Sequence, residues 1–183
     1  MPIEGPQPAW ASSTLSAEDT FTLEEIPADE YRFLVSGLPE GAYVKSIRLG
    51  GRETTGSRLD LSGMETVPPI DVLVSPNGAT VEGTVKSDDK PAPGAWVCLI
   101  PDPPRPESTY RIRSGTTDLT GRFRLLGVTP GDYRLYSFEE PQSGSLVDLE
   151  FFKPFESKAA RLAVEEGERK QANVTLVRPA EAR

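Results

Sequence analysis

The stretch Thr117-Asp-Leu-Thr-Gly-Arg-Phe-Arg-Leu-Leu-Gly-Val-Thr-Pro-Gly-Asp-Tyr-Arg-Leu135 decides the fold class of this chain. Apolar and polar side chains alternate before and after Thr129-Pro-Gly131, which is the pattern of two half-buried β-strands joined by a tight turn. Asp118 can cap backbone amides of the turn that precedes the first strand, and Gly121 tolerates a left-handed conformation there. The stretch therefore predicts a turn, a strand, a second turn and a second strand.

Similar strand signals extend along the chain in both directions. Short alternating runs are separated by Gly, Pro, Asn and Asp, and 16 glycines and 18 prolines argue against long helices. Residues 148–157 are the only stretch that fits a helical turn, and Pro154 limits its length. The predicted strands are Tyr31–Gly37, Ala42–Leu49 and Ile70–Ser75, followed by Thr80–Lys86, Ala95–Ile100, Tyr110–Thr116, Arg122–Leu126, Tyr133–Phe138, Arg161–Val164 and Ala172–Val177.

The chain contains an internal repeat with a period of 102 residues, since residue 21 aligns with residue 123. Such a period is too long for a solenoid unit and matches tandem sandwich domains. We therefore expect two units, residues 1–78 and 79–183. The aligned segments are Phe21-Thr-Leu with Phe123-Arg-Leu, Ile26 with Val128, Tyr31-Arg32 with Tyr133-Arg134, and Ile70–Val74 with Ala172–Leu176.

The first unit is expected to be incomplete. Counterparts of the first two strands of the second unit would precede residue 1, and residues 1–15 replace only a loop and a third strand. A sandwich without two strands exposes apolar faces and an unpaired edge. We expect this unit to be unstable alone or to borrow strands by strand exchange with another chain or from upstream sequence. A smaller sheet that packs against the second unit is the alternative.

Residues 79–178 resemble the carboxypeptidase regulatory-like domain, a transthyretin-like seven-stranded sandwich also seen in B-type repeats of bacterial surface proteins. The resemblance is carried by Val81-Glu-Gly-Thr-Val85, Gly94-Ala-Trp-Val-Cys-Leu99, Thr117–Phe123 and Pro130-Gly-Asp-Tyr-Arg-Leu135. It implies an all-β fold of tandem transthyretin-like or Ig-like β-sandwiches, the first incomplete. It also implies an extracellular or cell-envelope accessory module without catalysis of its own.

Composition excludes several functions. The chain has 183 residues, no histidine, one cysteine and a formal net charge of −8. Ser-His-Asp catalysis and histidine-ligated zinc are thereby excluded, and no cofactor or metal is expected. The acidic balance argues against nucleic acid as a partner, because phosphate binding needs clustered Lys and Arg. We find neither a membrane span nor a signal peptide in the sequence.

One candidate ligand face consists of arginines. Alternation places Arg111, Arg113, Arg122, Arg124 and Arg134 opposite apolar neighbours, so that adjacent strands would present an arginine ladder. Arginines bind carboxylates and sulfates and stack on sugars. A solvated face with acidic partners is the preferred interpretation, and an anionic glycan site is the alternative.

A second candidate face is aromatic. Trp96, Tyr136 and Phe138 are out of phase with their inward-facing neighbours and are expected to point outward. They form either a sugar-binding platform or, as we prefer, an interface or a surface covered by residues 101–108 or 151–155. Purely structural roles are expected for Asp118, Gly121, Pro130, Gly131 and Tyr133, the last as a tyrosine corner.

The sequence therefore favours a non-enzymatic spacer or interaction module of a larger bacterial cell-envelope or secreted protein. Its expected partners are neighbouring domains of the same polypeptide or another protein. The first alternative is a carbohydrate-binding module on the outer face of the second sandwich. A further alternative is a regulatory appendage that positions an attached enzyme.

Overall fold

A computed structural model describes residues 11–24, 26–140 and 149–178, and the segment 1–10 of the expected first unit lies outside the described residues. The described part is built from short strands with two 3-10 helices, so the predicted all-β fold class is confirmed. The elements are β1 (Glu30–Arg32), β2 (Tyr43–Leu49), β3 (Arg52–Glu53), β4 (Arg58–Asp60), β5 (Ile70–Ser75), β6 (Ala79–Ser87), β7 (Lys90–Pro91), β8 (Trp96–Pro101), η1 (Pro106–Arg111), β9 (Arg113–Thr116), β10 (Arg122–Val128), β11 (Gly131–Phe138), η2 (Leu149–Lys158), β12 (Ala160–Val164) and β13 (Arg169–Thr175).

Residues 79–178 form a sandwich of two four-stranded sheets. One has the order β10-β6-β13 with β7 beside β6, and the other has the order β12-β11-β8-β9. All of these ladders are antiparallel except β6 with β13, which is parallel. Inward residues of both sheets, such as Val81, Leu125 and Leu135, form the main core.

Strand β8 is buried along its whole length. Its inward residues Val97 and Leu99 belong to the main core. Its outward residues lie under η2, whose Phe152 and Phe155 are buried with them in a second core. A strand buried on both faces explains why Trp96–Pro101 is continuously apolar instead of alternating.

A separate three-stranded sheet precedes the sandwich, with the order β3-β2-β5. The described residues divide into two compact units: the described part of Met1–Tyr31 with Asp60–Val67, and Arg32–Leu59 with the described part of Pro68–Arg183. The β3-β2-β5 sheet and the sandwich thus belong to one unit. A domain boundary between residues 78 and 79 stays a prediction.

Two predicted strands differ from the structure. The segment predicted as Tyr31–Gly37 is a strand only through Arg32, and beyond it one backbone bond joins Phe33 N–H to Ser57 C=O at 2.7 Å. The segment predicted as Tyr110–Thr116 begins as η1 and becomes a strand only at Arg113, because Pro106 starts a helical turn there.

Candidate functional site

Asp118 and Gly121 shape the turn before β10. Asp118 Oδ1 accepts hydrogen bonds from the Thr120 hydroxyl at 2.7 Å and from the Thr120 and Arg122 amides at 2.8 and 3.0 Å. The Thr120 hydroxyl is the largest of the causes that hold the pKa of Asp118 below its usual value. Gly121 has φ +75°, a left-handed conformation that other residues rarely adopt.

Tyr133 and its neighbours form a tight corner between β10 and β11. The buried Tyr133 ring donates its hydroxyl proton to the Thr129 carbonyl at 2.6 Å. Arg111 Nη2 donates to the Pro130 carbonyl at 2.7 Å, and a Cβ atom at Gly131 would overlap this nitrogen. These contacts hold the corner together, although the buried Arg111 Nε and Thr129 Oγ1 have no hydrogen-bond partner among the described residues.

A matching corner hydrogen bond occurs 102 residues earlier. Tyr31 donates its hydroxyl proton to the Pro27 carbonyl at 2.9 Å. Tyr31 and Pro27 align with Tyr133 and Thr129 under the repeat period. The two aligned positions thus share this tyrosine-to-carbonyl hydrogen bond.

The five candidate arginines do not form one ladder. Strand β10 carries Arg122 and Arg124 in one sheet, whereas β9 and β11 belong to the other sheet. Arg122 and Arg124 are exposed, and Arg124 Nε lies 3.7 Å from Glu82 Oε2. Strand β9 lies close to β10 but is not hydrogen-bonded to it as a strand, so the two arginine pairs do not continue across one sheet face.

Arg134 holds η2 to the loop after β8. Its Nη2 lies 3.0 Å from Asp102 Oδ1 and its Nη1 lies 2.7 Å from Glu156 Oε1. The hydrogen bond with Asp102 is the main cause that raises the pKa of Arg134. Because its side chain is only 12% exposed and has two carboxylate partners, Arg134 is engaged within the protein.

Arg111 and Arg113 have no acidic partner among the residues that the structure describes. The Arg111 guanidinium lies 5.2 Å from the centre of the Tyr133 ring. Arg113 donates from Nε to the Gly127 carbonyl at 3.1 Å and from Nη1 to two further carbonyls at 3.0 Å. Burial lowers the pKa of Arg113.

The aromatic candidates are buried under η2. Trp96, Tyr136 and Phe138 point away from the main core, as alternation predicts, but each is at most 5% exposed. Phe152 lies 5.0 Å from Tyr136 and Phe155 lies 5.2 Å from Phe138, measured between ring centres. Phe152 and Phe155 of η2 therefore lie over these three side chains, and none of the three is exposed.

Other reactive groups offer little chemistry. Cys98 is fully buried, and burial raises the pKa of its thiol far above the usual range. Across the described ranges, no three acidic, cysteine or histidine side chains are placed to hold a metal ion. None of the described helices is long and apolar enough to span a membrane.

A groove of about 500 Å³ lies between the segment after β1 and the Arg113 end of the sandwich. Its walls are mainly apolar, and the charged residues in its lining are Glu40 and Arg113. Residues that line it include Phe33, Leu34, Leu38, Ile47, Arg113 and Leu126. The strand prediction for 31–37 did not indicate a groove.

The edge of β5 is the most exposed apolar strand edge that the structure describes. Among the described strands, β5 is hydrogen-bonded to β2 alone. Leu73 is 53% exposed and Val74 is 37% exposed. Exposed apolar residues on an edge strand are typical of a surface that pairs with another strand.

Sequence reasoning missed a polar junction at Glu166, which joins β2 and β5 to the turn after β12. Glu166 Oε1 accepts hydrogen bonds from the Ser75 hydroxyl at 2.7 Å and the Tyr43 hydroxyl at 2.9 Å. Lys45 Nζ lies 3.1 Å from Oε2. The hydrogen bond from Ser75 is the largest cause that lowers the pKa of Glu166.

Comparisons with known proteins found structural likenesses only. No family model and no curated protein matches the sequence. A Pseudomonas aeruginosa protein described as a candidate carbohydrate binder is 15% identical, with a TM-score of 0.34, over 54% of this chain and 88% of that one.

Two pilin subunits are also similar. The major pilin BcpA of Bacillus cereus is 10% identical, with a TM-score of 0.37, over 93% of this chain and 77% of the pilin. The minor pilin GBS52 of Streptococcus agalactiae is 16% identical, with a TM-score of 0.36, over 89% of this chain and 66% of the pilin. At such scores these likenesses carry no functional argument.

Proposed function

We propose that this chain is a non-enzymatic β-sandwich module that joins neighbouring domains or subunits within a larger bacterial cell-envelope or secreted protein. The resemblance of residues 79–178 to the carboxypeptidase regulatory-like domain supports a place in a cell-envelope or secreted protein. The absence of histidine and the burial of Cys98 support a role without catalysis. Strand exchange through the segment before residue 79 is part of this proposal.

The exposed edge of β5 is the observation that carries the proposal. An apolar edge strand is a template for pairing with another polypeptide. Elsewhere in the same unit, apolar strand faces are covered, as at Trp96 and Phe138 under η2. The open apolar edge thus offers a surface for assembly.

Sedimentation of the whole chain over a wide concentration range tests this proposal. We expect the weight-average mass of the wild type to rise with concentration. The mass of the Leu73→Lys variant should stay at the monomer value, because a charged side chain on an edge strand resists pairing. Leu119→Lys is the matched control, since Leu119 is 92% exposed in a turn. A wild type that stays monomeric throughout would contradict self-assembly through this edge.

A second candidate function is the binding of an anionic ligand, such as an acidic polysaccharide, in the groove at Arg113. The observation that favours it is a half-buried arginine without an acidic partner in the described residues, on the wall of that groove. Calorimetry should show binding of acidic but not neutral polysaccharide, lost at high salt and in Arg113→Met. Retained binding in Arg113→Met, together with loss in Arg122→Met, would contradict this location.

A further inference from the structure

The two edges of β5 can be told apart from its pairing with β2. The ladder runs from Leu49 opposite Ile70 to Tyr43 opposite Ser75. The Gly50 N–H donates to the Pro69 carbonyl at 2.9 Å, so the backbone carbonyl of Pro69 points towards β2. Because backbone polar groups alternate in direction along a strand, residues 71, 73 and 75 also point to β2. Residues 70, 72 and 74 point to the other edge, which pairs with no strand in the described part of the chain and is called the open edge below.

The second half of the chain shows the corresponding edge occupied. Under the repeat period, residues 70, 72 and 74 of β5 align with 172, 174 and 176. The Leu176 N–H donates to the Lys86 carbonyl of β6 at 2.8 Å, and β13 pairs in parallel with β6 from Arg169 opposite Thr80 to Thr175 opposite Lys86. Residues 172, 174 and 176 therefore face β6. The open edge of β5 is the equivalent of the edge that β6 occupies on β13.

The β6–β13 pair also requires a small residue at one position. Gly83 lies opposite Ala172, and a Cβ atom on Gly83 would overlap the Ala172 carbonyl oxygen. Ala172 aligns with Ile70. A strand that pairs with β5 in the same manner therefore needs glycine opposite Ile70.

We propose that the open edge of β5 accepts a parallel strand from a separate polypeptide, with β6-like chemistry: glycine opposite Ile70 and an apolar residue opposite Val72. Val85 supplies that apolar residue in the β6–β13 pair, where it lies opposite Val174. Residues 1–78 carry 5 basic and 12 acidic side chains, which disfavours an acidic strand. This inference rests on the proposed function and names the kind of partner that the β5 edge recognises.

Amide hydrogen exchange of the whole chain, followed by NMR, tests the inference. Without a partner, the amides of Ile70, Val72 and Val74 should exchange at least about tenfold faster than those of Leu73 and Ser75, because only the latter are hydrogen-bonded to β2. The probe is a synthetic peptide with the β6 sequence Ala-Thr-Val-Glu-Gly-Thr-Val-Lys-Ser. Its binding should slow exchange at Val72 and Val74 about tenfold or more.

A peptide in which valine replaces the glycine is the matched control and should bind at least about tenfold more weakly. Equal binding of both peptides would overturn the parallel register. Slow exchange at Val72 and Val74 in the chain alone would show that the edge is already filled, which would overturn the inference. If the chain self-associates through Leu73 but neither peptide protects Val72 and Val74, strand addition is wrong and the interaction role stands. Specific peptide binding by a strictly monomeric chain would support strand addition and contradict self-assembly.

Discussion

Truncation of Phe152 to alanine tests whether η2 is packed on the outer face of β8 and β11. Phe152 is 2% exposed, and its ring centre lies 5.0 Å from Tyr136, 6.2 Å from Phe138 and 5.1 Å from Phe151. Removal of a buried phenylalanine ring costs about 3–5 kcal/mol of unfolding free energy, from lost burial and from the cavity that remains. With a urea slope of about 2 kcal/mol per M, the midpoint should fall by about 1.5–2.5 M.

Urea unfolding followed by circular dichroism measures this change. The control is Lys153→Ala in the same helix, where the side chain is 63% exposed and its ion pair with Glu150 is at the surface. This control should leave the midpoint unchanged. A loss of less than about 1 kcal/mol in Phe152→Ala would refute the packing of η2 on the sheet.

Three further substitutions test other contacts. Gly83→Ala should destabilise the chain by about 3 kcal/mol or more in urea unfolding, because the added methyl group overlaps the Ala172 carbonyl oxygen and separates β6 from β13. Tyr133→Phe should cost about 1 kcal/mol by the same measurement, since the hydrogen bond to the Thr129 carbonyl is lost. Asp118→Asn tests pH dependence by thermal unfolding. The pKa of Asp118 in the folded chain lies below its usual value of 3.8. The stabilisation of the folded state by its carboxylate is therefore complete above pH 3.8 and is lost as the pH falls through the folded-state pKa. The difference between wild type and variant should therefore shrink in acid, and a constant difference would contradict this role.

Strand positions were predictable where alternation and turn chemistry agree. Strands β5, β6, β10 and β11 lie within a few residues of their predicted bounds, because Gly, Pro and Asp mark their ends. Alternation alone failed for residues 33–37, which lack a continuous neighbouring strand in the described part of the chain. A strand needs a hydrogen-bonding partner as well as a periodic pattern.

The candidate site was harder to predict, since it depends on pairing between distant segments. Alternation along β8 predicted that the Trp96 side chain points away from the main core. Its burial depends on η2, which lies about fifty residues later in the chain. The arginine ladder failed because alternation does not say which sheet contains β10. Glu166 resembled a solubilising turn residue in sequence, and its contacts with Tyr43 and Ser75 span 123 and 91 residues.

The parallel pairing of β6 with β13 has a mechanical consequence. These are the first and last strands of the sandwich, and they are hydrogen-bonded side by side over Thr80–Lys86 and Arg169–Thr175. A pulling force applied at the two ends of the sandwich slides one strand along the other and loads all of these bonds together in shear. Peeling strands apart would break them one after another at lower force. We expect a sandwich built this way to resist a force applied between these two ends, as the joining role proposed above requires.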